Sequence, residues 1–196
     1  AACNADPGVV NNMVQLATEG HCELCLGQGG ELWWMRHPTP LSAEEVLDIF
    51  RYKTAPSFEV VFRLGAYLGG ATEEEHAILT EYSTAVGIAY QIQDDLHDFQ
   101  RGGDVDDIKK QRPSIVSALA HDRAAGKQRQ ALADAWCRGA GPGAEGVRCI
   151  IAELQAETAA RELLDHYKAQ APTALHPLRN RKLKILLHRI LGKLFK

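Results

Sequence analysis

The sequence predicts an all-α fold, a single helix bundle spanning residues 1–196. Apolar residues recur at three- and four-residue spacing along almost the whole chain. No stretch alternates in the manner of a half-buried strand, and no internal repeat is visible. The 196 residues are 45% apolar and 24% charged, enough for one domain with a sizeable core.

The elements follow in order. Pro7 stands near the start of a first helix running to about Trp34, with Val10, Val14 and Ala17 at helical spacing. His37–Leu41 is a loop. Ser42 with Glu45 three residues on is a capping box, opening a helix that extends from Ala43 to a Gly69-Gly70 stop. Pro56 lies inside it and predicts a break or kink just before that position. Glu73 to Phe99 reads as a third helix with acids in its first turn. Residues 100–112 read as a loop. Pro113 suits the first turn of the next helix, which continues through Cys137. A flexible connection covers about 139–146. Two more helices follow, about Val147 to Ala169 and Leu175 to Phe195.

Several function classes are disfavoured. The formal net charge of -3 argues against a general nucleic-acid binder. Five cysteines at irregular spacing argue against a disulfide framework and for a reducing compartment. Cys22-x-x-Cys25 has no companion pair and reads as two half-buried helical cysteines. The start lacks the pattern of a signal peptide, and no apolar run approaches the roughly 18 residues of a membrane span.

The stretch Tyr90–Phe99, YQIQDDLHDF, carries three aspartates in five positions. At about 100° per residue, and with Asp94 as zero, Asp98, Gln91 and Asp95 fall at roughly 40°, 60° and 100°. All four share one face, and His97 points away from it. Like charges four residues apart destabilise a helix by a few tenths of a kcal/mol, and burial adds more. A solvated acidic helix end tolerates the crowding. So does a divalent cation, and carboxylates without sulfur or imidazole favour magnesium, manganese or calcium over zinc.

GQGGEL (Gly27–Leu32), YKTAPSF (Tyr52–Phe58) and GIAYQIQDDLHDF (Gly87–Phe99) occur in this order with helical segments between them. The ordered set resembles the trans-isoprenyl diphosphate synthases, the polyprenyl synthetase family that contains the farnesyl and geranylgeranyl diphosphate synthases. The resemblance covers most of the chain. It implies a helix bundle of the isoprenoid synthase (class I terpenoid synthase) type. The implied activity is a magnesium-dependent condensation of an allylic diphosphate with isopentenyl diphosphate, with manganese an acceptable substitute. Asp94, Asp95 and Asp98 would be the metal ligands. Lys53 would grip the diphosphate, Thr54 and Gln91 would set oxygen dipoles near a developing carbocation, and Gln28 and Tyr90 would line the cavity. In the following loop Lys109 aligns with one phosphate-binding lysine of the family, and Arg101 is the candidate substitute for another. The family resemblance further implies a homodimer, and a cytoplasmic location is expected.

The family's first aspartate-rich motif has no counterpart here. The sequence starts at about the middle of the expected chain, as though the N-terminal helices were missing. Two alternatives therefore stand beside the enzyme: a catalytically silent subunit of a heteromeric prenyl synthase, and a class I terpene cyclase of the same fold. Finally, Arg179–Lys196 holds seven Lys/Arg and no acid, with leucines and isoleucines at helical spacing. Such a helix can lie on anionic membrane. Packing as the last helix of the bundle is the favoured expectation.

Overall fold

The computed structural model describes residues 6–100 and 112–196. All regular structure within them is helical: α1 (Pro7–Arg36), α2 (Ala43–Leu68), α3 (Glu73–Gln100), α4 (Ile115–Arg123), α5 (Gly126–Arg138), α6 (Gly143–Glu153), α7 (Ala156–Ala174) and α8 (Arg181–Leu194). The all-α expectation holds.

Local sequence explains most boundaries. Asp6 caps α1, its carboxylate accepting from the amides of Gly8 and Val9. Ser42 and Glu45 form the expected reciprocal box at α2. Thr72 and Glu75 make a second one at α3, amide to side chain in both directions. Gly69 ends α2, and Gly70 takes the left-handed turn (φ 72°) that glycine adopts without penalty.

α3 runs through the centre, packed between α2 and α7, while α1 covers the other side of α2. It joins two apolar clusters. Ile88, Ile92 and Leu96 pack with Trp34, Phe50, Ile115 and Trp136. Ile78, Leu79, Tyr82 and Val86 pack with Leu175, Leu178 and Leu187. Between the clusters the backbones close up. A Cβ on Gly87 would collide with Ala55, and one on Gly27 would collide with the backbone of Tyr52 and Lys53. Two glycines thus bring α1 and α3 onto the same stretch of α2.

That convergence corrects the expectation at Pro56. α2 is not broken there but runs as one helix, because neighbours on both sides hold the segment that lacks its amide hydrogen bond. In α1 the residues that show helical spacing do not mark the buried face. Val10, Val14 and Ala17 are exposed, and the buried face is Leu16, Gly20, Gly27, Glu31 and Trp34. Cys22 and Cys25 are exposed rather than half-buried.

Other differences fall in the second half. Pro113 precedes the α4 cap, which is Ser114. The helix expected to continue to Cys137 is interrupted at Ala124-Ala125, both extended. Residues 143–146 already belong to α6, which narrows the expected loop. The helix expected over Val147–Ala169 is split at Gln155, held left-handed (φ 52°). The Arg123 guanidinium donates to the carbonyls of Leu154 and Gln155 at 3.0 Å each and secures that break. The last helix packs as expected. The Tyr82 hydroxyl donates to the Leu187 carbonyl at 2.9 Å, and its burial pushes that phenol up to about 12. No helix among the described residues is long and apolar enough to cross a membrane.

Candidate active site

Three helices and the entry to a fourth supply one polar pocket of about 60 Å³. Glu31 comes from α1, Phe50 and Lys53 from α2, Gln91, Asp94, Asp95 and Asp98 from α3, and Arg112, Pro113 and Ser114 from the segment before α4. The close approach at Gly27 brings α1 against Tyr52-Lys53 and so sets Glu31, one turn on, beside the lysine.

Lys53 Nζ donates to Glu31 Oε1 at 2.8 Å. The lysine side chain is 25% exposed and the glutamate side chain 9%. Gln28 donates from Nε2 to the other Glu31 oxygen, also at 2.8 Å. The glutamate is thus satisfied from both sides, as a buried carboxylate must be. The Thr54 hydroxyl donates to Gln91 Oε1 at 2.8 Å, tying α2 to α3 one residue beyond the lysine.

The aspartates separate into two roles. Asp95 faces α4: its Oδ2 accepts from the Ile115 amide at 2.7 Å, the Ser114 hydroxyl at 3.2 Å and the Val116 amide at 3.4 Å. A carboxylate at a helix N-terminus meets unpaired amides and the positive end of the helix dipole. Asp94 is exposed and Asp98 half-buried, one helical turn apart on the pocket wall. Among the described residues no three His, Cys, Asp or Glu side chains converge tightly enough to hold a metal ion by themselves. The donor set still fits a hard cation that keeps waters and shares anionic oxygens of a bound ligand, as magnesium does. Lys53 and Arg112 bring positive charge to the same pocket. Carboxylates and cations facing one small space suit a metal-bound polyanion better than either charge alone.

Lys53, Gln91, Asp94, Asp95 and Asp98 are therefore brought together. Thr54 is joined to them through Gln91. Gln28 and Tyr90 stand outside the pocket: Gln28 is exposed and serves Glu31, and the Tyr90 ring packs edge-on against Phe58 at 5.9 Å. Arg101 and Lys109 lie outside the described residues. Two pocket residues escape sequence reasoning. Glu31 lies within the GQGGEL motif, which carries no sign of its pairing with Lys53. Arg112 is passed over, although a cation directly before Pro113 and a capping serine is a readable signal. The Trp136 indole donates to the Arg112 carbonyl at 2.9 Å and anchors it.

A sequence profile of the polyprenyl synthetase family matches residues 5–154. The short chain isoprenyl diphosphate synthase of Methanothermobacter thermautotrophicus is 27% identical over 135 residues, covering 66% of this chain and 41% of that protein. The enzyme of the same description from Methanocaldococcus jannaschii is 33% identical over 89 residues, covering 45% of this chain and 26% of that protein. The chain thus spans less than half the length of either relative. Among solved structures, geranylgeranyl pyrophosphate synthetase from Pyrococcus horikoshii superposes with a TM-score of 0.84 at 22% identity, covering 98% of this chain and 60% of that one. Geranylgeranyl pyrophosphate synthase from Corynebacterium glutamicum, solved with isoprenyl diphosphate and magnesium, gives 0.81 at 20% identity, covering 96% of this chain and 56% of that one. At such identities the structural likeness speaks for the fold.

Proposed function

Since the chain belongs to the polyprenyl synthetase family, we propose that it acts as a magnesium-dependent prenyltransferase joining an allylic diphosphate to isopentenyl diphosphate. The single observation that carries this reading is the pocket in which Asp94 and Asp98 face Lys53 and Arg112.

Cleavage of the allylic carbon–oxygen bond leaves concentrated negative charge on diphosphate, and neutralising it lowers the barrier. A bound magnesium ion would supply much of that charge stabilisation as a Lewis acid. Asp94 and Asp98 would hold the ion, with Asp95 behind them fixed on the start of α4. Lys53 would contact phosphate oxygens as a point charge and Arg112 as a planar fork. Glu31 keeps the lysine extended into the pocket instead of collapsed on the helix surface. Because the Thr54 hydroxyl proton is given to Gln91, the threonine oxygen presents only lone pairs outward, suited to an adjacent allylic cation.

The test is incubation of the protein with magnesium, isopentenyl diphosphate and allylic diphosphates of increasing length. Elongated products are expected with at least one primer. Failure with every primer overturns the reading. Diphosphate binding without elongation would instead favour the silent-subunit alternative.

A further inference from the structure

We propose that α8 docks this protein peripherally on an anionic bilayer surface. Lys182, Arg189 and Lys193 would meet headgroup phosphates while Ile185 and Leu186 enter the interface.

Charge in the chain is unevenly placed. The whole carries a net -3, yet Arg179–Lys196 holds seven Lys/Arg and no acid. Packing explains only part of α8. Leu187 is buried, and Leu183, Ile190, Leu191 and Leu194 press on the second apolar cluster. The Tyr82 hydrogen bond to the Leu187 carbonyl fixes which side faces inward. That seam leaves Ile185 and Leu186 exposed at 44% and 52%. At about 100° per residue, Lys182, Arg189 and Lys193 fall within roughly 60° of Leu186, on the side away from Leu187. Lys184 is not part of this face, since its ammonium donates to the His176 carbonyl at 2.9 Å.

The apolar side of the patch continues onto α2. Leu186 and Ile190 share a groove of about 420 Å³ with Val61 and Phe62, and Val61 is itself exposed. Among the described residues Glu75 is the one acid lining this groove, and its carboxylate is engaged by the Thr72 amide. The result is a cationic stripe beside aliphatic side chains on a helix about 21 Å long. An acidic protein or nucleic acid would satisfy the cations but not the leucine, isoleucine and valine. An anionic bilayer offers phosphate and hydrocarbon together over a flat area, which is how basic amphipathic helices bind.

Co-sedimentation with phosphatidylcholine vesicles, with and without phosphatidylglycerol, tests this. Binding is expected only with phosphatidylglycerol and should weaken as salt rises. The triple variant Lys182→Gln, Arg189→Gln, Lys193→Gln should partition about a hundredfold less, at about fivefold per basic residue. Leu186→Ser should lose about tenfold through the apolar contact. Both leave the inward seam untouched, and melting curves check that the fold survives. As a second readout, an environment-sensitive dye on Ile185→Cys should shift to the blue with anionic vesicles. Absence of binding, equal binding to neutral vesicles, or an undiminished Leu186→Ser overturns the proposal. So does release by inorganic pyrophosphate at matched ionic strength, which would show a site for soluble phosphate rather than a bilayer.

Discussion

Lys53 on α2 and Glu31 on α1 form an ion pair of 2.8 Å, with the glutamate the more buried partner. Removing one member of such a pair costs more than the pair itself contributes, because the remaining charge has no compensation. Lys53→Met should therefore destabilise by roughly 2–3 kcal/mol at neutral pH, somewhat below the buried-pair range because the lysine is partly exposed. Adding Glu31→Gln should restore much of that loss. Urea denaturation of both single variants and the double variant checks the coupling. Additive effects would contradict it.

Asp94 and Asp95 should behave differently although they are adjacent. Asp95→Ala strips the acceptor from the Ile115 amide and the Ser114 hydroxyl. By analogy with lost helix caps it should cost about 1–2 kcal/mol. Asp94 is exposed, and Asp94→Ala should stay within about 0.5 kcal/mol of the parent. On the proposed function it should still lower turnover by orders of magnitude. Thermal melts and elongation assays on the two variants separate the roles, and equal stability would remove the structural part of Asp95.

What the sequence discloses divides by the range of the interaction. The Ser42–Glu45 box, the Gly69-Gly70 stop and the acidic start of α3 rest on neighbours a few residues apart, so they are legible. The split at Gln155 is not, because Arg123 holds it from more than thirty residues upstream. Val10 and Val14 show helical spacing and still face solvent. The inner face of α1 joins Leu16, Glu31 and Trp34 with Gly20 and Gly27, and the glycines contribute by small size and leave no hydrophobic signal. At the site, the shared face of Gln91, Asp94, Asp95 and Asp98 follows from spacing. The pairing of Lys53 with Glu31 and the placement of Arg112 depend on tertiary packing, which no local pattern encodes.

Gly27→Ala and Gly87→Ala test the convergence of the three helices. In each, the new Cβ meets backbone rather than a side chain that can move aside. Overpacking of this sort typically costs about 1–3 kcal/mol. Gly27→Ala should also lower activity, since the backbone it displaces is that of Tyr52 and Lys53. Gly29→Ala on the same helix meets no neighbouring atom among the described residues and should be neutral or slightly stabilising through helix propensity. Comparable losses at Gly27 and Gly29 would refute close packing.

The pH dependence of stability should carry a histidine signature. His76 is buried on α3, and its Nδ1 accepts from Arg63 Nε at 3.4 Å. The Tyr67 ring lies against it at 4.0 Å, and Nε2 has no hydrogen-bond partner among the described residues. Burial, with the Arg63 charge adding to it, holds the imidazole below its usual value, and Glu73 and Glu75 oppose the shift only in part. His121 is likewise lowered, by burial first and Arg129 second. A depressed histidine binds its proton more readily in the unfolded chain. Both states are neutral above the ordinary value of 6.5, and stability is then fully present. As pH falls below 6.5 the unfolded chain protonates first, and stability declines until the folded pKa is reached. Glu45 and Glu157, both lowered, extend the loss only below their ordinary 4.5, while Glu23, raised by burial, works the other way just above it. Melting temperature should therefore drop between pH 7 and 5 in the parent, and less in His76→Phe, which keeps an aromatic ring beside Tyr67 without a titrating group. An unchanged slope in that variant would remove His76 as a cause.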